Sequence, residues 1–294
     1  MQRLLSYFRD GLRAFGATIG MEVETSFLDS DSQPISVAQS QAMFSTLISW
    51  GWEVQETKGR LVTKLRDIVG NSVFYELGHQ NIEVSSRPET QSETVRTTRF
   101  VLKQLYEAGA AHGLSPQYKP ILETDEDLLV IPEERDATWL ELDGREALAP
   151  LAKISAVQFT VEVPKEQAIP CLNRLGENIG KFLTDYPQEW VWREYIRSSR
   201  AGYRADRYGG PLVFQSLEDY CTKLCEHDVV QRGRLVPYAE VIDLDVGLFI
   251  RSVWWYFRLR RHNDRLCIEV RPMPRRTDGQ FEAQLCQVLD IMNL

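Results

Sequence analysis

The chain has 294 residues, 43% hydrophobic and 10% aromatic, and carries 34 basic against 42 acidic side chains for a formal net charge of −8. Such a chain buries a large core, which excludes disorder, and its acidic balance excludes a general nucleic-acid binder, which needs a basic excess against phosphate. No apolar run approaches the ~20 residues that cross a bilayer, and Arg3, Arg9, Asp10 and Arg13 interrupt the N-terminal apolar stretch where a signal peptide would be uncharged, so a soluble, cytoplasmic protein with no membrane partner is expected.

Residues 3–15 read as a short amphipathic helix. The alternation of Ile19, Met21 and Val23 against Gly20, Glu22 and Glu24 then reads as a strand with both acids on one face. A helix is expected over 36–50, ended by Gly51 and Trp52, and two or three strands follow up to about Ser86. Over 89–113, Val95, Val101, Leu102, Leu105 and Ala108 recur at helical spacing and Gly113 stands at the exit. Pro116, Pro120, Pro132 and the acidic run 123–127 describe loops across 115–150, which either cover a site or join two halves. A strand over 154–163, a helix over 164–186, a strand over 266–271 and a C-terminal helix ending near Leu294 complete the pattern. Strands separated by helices of irregular length imply an α+β fold on a largely antiparallel sheet, and 1–294 read as one domain.

Five cysteines at irregular spacing read as reduced thiols rather than a disulfide framework. Cys221 and Cys225, followed by His227 and Asp228, suggest a metal knuckle. However, Leu217, Tyr220, Cys221, Leu224 and Cys225 form one apolar helical stripe, and no second knuckle exists to complete a zinc site. Buried thiols are the expectation.

Four strand-like stretches place acids or an amide among apolar residues. Glu22 and Glu24 lie two apart in GMEVE, Glu76 and Glu83 flank LGHQNI, Gln158, Thr160 and Glu162 alternate in VQFTVEV, and Glu269 alternates with Arg271. Each stretch alone is more often a solvated sheet face than a site. Together they suggest a shared metal–phosphate site, because acids turned toward a pocket cost several kcal/mol unless they are paired or hold a cation. Arg271 suits phosphate as a bidentate donor and Gln158 as a neutral ligand.

Arg193, Arg197, Arg200, Arg204 and Arg207 recur at helical spacing, yet Gly202 and the GYRADRYGGP segment oppose one continuous helix. They read either as an anion clamp, with Arg200 and Arg207 foremost, or as a solvated face paired with Glu194, Asp206 and Glu218. Arg258 and Arg260 would share one strand face. Trp254 and Trp255 read as core or as a wall for a nucleobase.

In order, GMEVE, YELGHQNIEVSS, SAVQFTVEV, ADRYGGPLVF and RLRRHNDRLCIEVRP resemble the plant-type and proteobacterial glutamate-cysteine ligases, over about Gly20 to Met273. The resemblance implies an α+β fold of glutamine synthetase kind, with a curved, largely antiparallel sheet forming an open funnel flanked by helices. It also implies ATP and Mg2+, transfer of the γ-phosphate to a glutamate-like acid, and attack by an amine on the acyl phosphate. The residues it assigns are Arg271, Arg207 and Glu76 to catalysis, and Glu22, Glu24, Glu83, Gln158 and Glu269 to the metal. Arg200, Arg258, Arg260, Gln80 and Thr160 then surround substrate and phosphate. His79, Thr160 and Glu162 depart from the family pattern around the substrate, which leaves the amine open. A kinase on the same fold and a non-catalytic nucleotide-binding homologue are the competing readings.

Overall fold

The computed structural model describes residues 1–130, 134–231 and 233–294. Residues 131–133, within the stretch expected to cross as loops, and residue 232 lie outside the description.

Thirteen strands are present among the described residues: β1 (Ile19–Leu28), β2 (Glu53–Lys58), β3 (Leu61–Arg66), β4 (Ser72–Tyr75), β5 (Asn81–Ser85), β6 (Ser115–Gln117), β7 (Val157–Glu162), β8 (Tyr208–Gly209), β9 (Val229–Gln231), β10 (Arg234–Val236), β11 (Trp254–Trp255), β12 (Phe257–His262) and β13 (Arg265–Val270). Nine of them form one antiparallel sheet in the order β12-β13-β7-β1-β5-β4-β3-β2, with β6 pairing on β1. This is an α+β arrangement of mixed helix and mostly antiparallel, open sheet.

The period of two sorts each central strand. Met21 and Val23 of β1, Ile82 and Val84 of β5, Val157 and Phe159 of β7 and Ile268 and Val270 of β13 are all fully buried in the core. Each such side chain contributes ~1.5–3 kcal/mol on leaving water. Helices Val37–Ser49, Gln91–Ala110 and Ala168–Glu177 pack on the sheet, and Phe281–Met292 packs in turn on Ala168–Glu177. A capping box starts the first of these: the Gln39 amide N–H donates to Ser36 Oγ at 3.3 Å, and the Ser36 N–H donates to Gln39 Oε1 at 2.7 Å. Gly109 lets the long helix come close, since a Cβ there would stand 3.2 Å from the Phe27 ring.

Some elements stop earlier than periodicity implies. The N-terminal helix spans Gln2–Arg9, and Gly11 at φ +64° turns the chain before residue 15. The stretch 164–186 breaks into a 3-10 turn and the helices Ala168–Glu177 and Ile179–Leu183. Helix Gln188–Ser198 ends before the later arginines, leaving Arg200 beyond its end and Arg207 in a 3-10 turn. Cys221 is buried on helix Leu217–Cys225, and all five cysteines are free thiols. No helix among the described residues is long and apolar enough to cross a membrane.

Glu162, at the end of β7, locks the 11–18 loop onto the sheet. Its carboxylate accepts from the backbone N–H of Gly16 (3.0 Å) and Thr18 (3.2 Å), from Thr18 Oγ1 (2.5 Å) and from Arg13 Nη2 (3.1 Å). Burial pushes this carboxyl up, but those donors outweigh it and hold the pKa below the ordinary 4.5. The stabilisation is therefore complete above pH ~4.5 and is lost as pH falls through the lower folded value. Glu162→Gln is expected to cost about 2 kcal/mol at pH 7 by chemical denaturation, with the difference from the parent shrinking steadily below pH 4.5.

Candidate functional site

On the sheet face opposite those apolar side chains, the register puts charge beside charge. Glu24 of β1 lies directly across from Glu83 of β5, Glu22 across from Ser85 on one side and Gln158 on the other, and Glu269 lies between Thr160 and Arg258. All of these but Ser85 line one cavity of about 270 Å³, in which five carboxylates (Glu22, Glu24, Glu76, Glu83 and Glu269) meet four guanidiniums, those of Arg251, Arg258, Arg260 and Arg271.

The carboxylates divide into two environments. Glu269 is enclosed by cations: Arg258 grips it with Nε at 2.9 Å and Nη2 at 2.8 Å, Arg271 Nη1 donates at 2.8 Å, and Arg260 Nη1 reaches it at 3.4 Å. Burial raises the Glu269 pKa, but the three guanidiniums overcome it and hold the group well below the carboxylate range. Burial also depresses Arg258, to about 10 despite its partner. Arg258 spends Nη1 on the carbonyls of Ile250 (3.1 Å) and Val253 (2.9 Å), so its donors serve the protein. Arg260 is buried, yet its Nε has no partner.

Glu24, Glu76 and Glu83 form the other environment, with one oxygen from each lying within 4.8 Å of the others. Burial and then the Glu76 charge lift Glu24 well above the ordinary value; burial and then the charges of Glu22, Glu76 and Glu24 do the same to Glu83. Like charges directly opposed across strands repel, and a hard divalent cation with oxygen ligands relieves that repulsion. The donor set fits such an ion. Glu22 is lifted by burial and by Glu269, and it stands between the two groups.

Gln158 joins the environments. Its Nε2 donates to Glu24 Oε1 at 3.1 Å, while its Oε1 accepts from Arg271 Nη1 at 3.0 Å. The turn after β4 that carries Glu76 is pinned from behind: Gln80 Nε2 donates to the Ala152 carbonyl at 2.7 Å and Asn81 Nδ2 to that of Ile154 at 2.8 Å. Gly78 permits this approach, for a Cβ there would fall 2.4 Å from the Ala152 oxygen.

Of the residues singled out in the sequence, the cavity thus gathers Glu22, Glu24, Glu76, Glu83, Gln158, Thr160, Arg258, Arg260, Glu269 and Arg271. It does not gather Gln80, which supports the turn, nor Arg200 and Arg207. Arg200 Nε donates to the Asp143 carbonyl at 3.3 Å. Arg207 is buried, with its guanidinium bound to the carbonyls of Ser252 and Asp228, each at 2.9 Å, and to Ser252 Oγ at 3.1 Å. The sequence reading missed Trp139, Trp192 and Tyr186 on the cavity wall, and also Arg251 and His262. His262 continues the two-residue period of Arg258 and Arg260 on the same strand, a signal the sequence offers; Arg251, at the end of helix Val246–Arg251, has none.

No protein-family model matches the chain, and no curated protein matches it in sequence. Among solved structures, the chain superimposes on a bifunctional glutathione synthetase from Pasteurella multocida with a TM-score of 0.53 at 8% identity, over 99% of this chain and 39% of that one. That likeness is one of fold, and this chain spans well under half of that protein's length. Ligand-free GmaS matches with a TM-score of 0.40 at 10% identity, over 99% of this chain and 56% of that one, too distant to argue from.

Two outcomes follow from the divided electrostatics. Glu269→Gln strands two buried guanidiniums and a partly buried third, and is expected to cost roughly 3–5 kcal/mol by urea denaturation. Mg2+ at ten times its Kd is expected to stabilise the parent by about 1.4 kcal/mol in a thermal melt, and to leave Glu83→Gln unshifted.

Proposed function

We propose that the chain is an ATP- and Mg2+-dependent carboxylate–amine ligase of glutamate-cysteine ligase kind, forming a γ-glutamyl-type amide in the cytoplasm. On this reading residues 1–294 form one catalytic unit, and the curved sheet is a glutamine synthetase-like funnel with the cavity at its floor. The observation that carries it is the single cavity with an acid triad at one end, a guanidinium cluster at the other and Gln158 between them.

A divalent cation held by Glu24 and Glu83 would neutralise charge on a transferring phosphoryl group. Arg260 and Arg271 present fixed positive charge to an anionic substrate, and their orientation is set beforehand by Glu269, so little reorganisation remains at the moment of reaction. The substrate carboxylate takes the γ-phosphoryl group as the β–γ anhydride bond breaks. The amine then forms the C–N bond, phosphate leaves, and the amine proton passes to a base, for which half-buried Glu76 is the candidate. Such chemistry asks for positioning and charge rather than a protein nucleophile, and among the described residues the cavity lining offers neither cysteine nor serine.

The test is phosphate release in the presence of ATP, Mg2+, glutamate and a panel of amines. Release is expected to require both acid and amine, and Glu83→Gln and Arg271→Lys are each expected to lower kcat by about 10²-fold or more. Release that ignores the amine, or activity unaltered in both variants, would refute the ligase. A stable phosphorylated acid without amide would favour the kinase reading.

A further inference from the structure

The wall of the cavity differs sharply from its charged floor. Trp139, Trp192 and Trp254 all line it and all remain partly exposed there, with ring centroids 5.3 Å apart for Trp139–Trp254 and 5.8 Å apart for Trp192–Trp254. The rings are fixed from behind. Tyr195 packs edge-on to Trp254 at 5.4 Å, and Trp192 stacks on Tyr208 at 5.5 Å with planes 7° apart. The Arg207 guanidinium lies 4.8 Å from the Tyr203 ring and 5.6 Å from Trp254. Buried Asp143 ties this backing together, accepting from Tyr195 Oη at 2.8 Å, from Tyr203 Oη at 3.1 Å and from Ser199 Oγ.

A preorganised indole surface facing a cavity recognises an apolar or planar group at little ordering cost. A small polar acceptor such as ammonia or glycine would leave it wet. The rings and the charged floor share one cavity of about 270 Å³, whereas the base of a nucleotide stands a triphosphate's length from its γ-phosphorus, so the rings suit the acceptor amine better than the base. Buried Tyr186 lies in the field of both Arg271 and Glu24, so the aromatic side borders both ends of the charged floor.

Resting on the ligase reading above, we propose that Trp139, Trp192 and Trp254 select an apolar, arylalkyl primary amine as the acceptor, with its nitrogen toward the acid triad and its ring against the indoles.

The experiment measures amide formation with ATP, Mg2+ and glutamate for phenethylamine, benzylamine, ammonium, glycine and cysteine. The aryl amines are expected to exceed the polar ones in kcat/KM by tenfold or more, and Trp254→Ala to lower the phenethylamine-to-ammonium ratio about tenfold. Trp254→Leu serves if the alanine variant does not fold, with the same fall in ratio expected. Equal or greater activity with the polar amines overturns the proposal and leaves the ligase standing. No amide with any of these acceptors overturns both. Indole fluorescence of the parent is expected to respond to phenethylamine, and a response to adenosine alone overturns the aryl-amine assignment.

Discussion

A carboxylate without water must find its own cations, and Glu269 finds three. Arg258 bridges it in a bidentate grip while Arg271 approaches from just past the end of β13 and Arg260 from β12. The pairing offsets a desolvation cost that would otherwise unfold this edge of the sheet. It also fixes what the cavity can do, because Arg271 in turn orients Gln158 and Gln158 orients Glu24. One buried ion cluster thus sets the geometry of a chain of contacts across three strands.

The opposite end of that chain has the reverse property. Glu24, Glu76 and Glu83 have no cationic partner of the Glu269 kind among the described residues, and burial with the neighbouring acids raises Glu24 and Glu83 well above the carboxylate range. Structural stability is therefore concentrated at the basic end and binding potential at the acidic end. Apolar side chains in place of the triad would remove the repulsion between its acids, so the acidic end costs the fold stability.

The floor of the cavity was legible in the sequence because strands impose a period of two. Glu22 with Glu24, Gln158 with Thr160 and Glu269 with Arg271 had to share faces once their stretches were read as strands, and Gly78 marked the tight turn between Glu76 and Glu83. The walls were not legible. Arg207 and Arg200 looked like anion ligands, but carbonyls and rings brought from distant segments absorb them, and no local spacing encodes those partners. Trp139 and Trp192 reach the cavity from helices whose placement is purely tertiary. Neighbouring Trp254 and Trp255 look alike in the sequence, although a strand sends adjacent side chains to opposite sides; Trp255 is fully buried while Trp254 faces the cavity.

Surface turns usually tolerate insertion and deletion because little is fastened to them. The turn between β4 and β5 is an exception. Gln80 and Asn81 fasten it to the carbonyls of Ala152 and Ile154, on the segment that leads into β7 and Gln158. A residue gained or lost between 77 and 80 would thus shift two remote parts of the chain in concert, making this short turn a spacing gauge of fixed length for the whole floor.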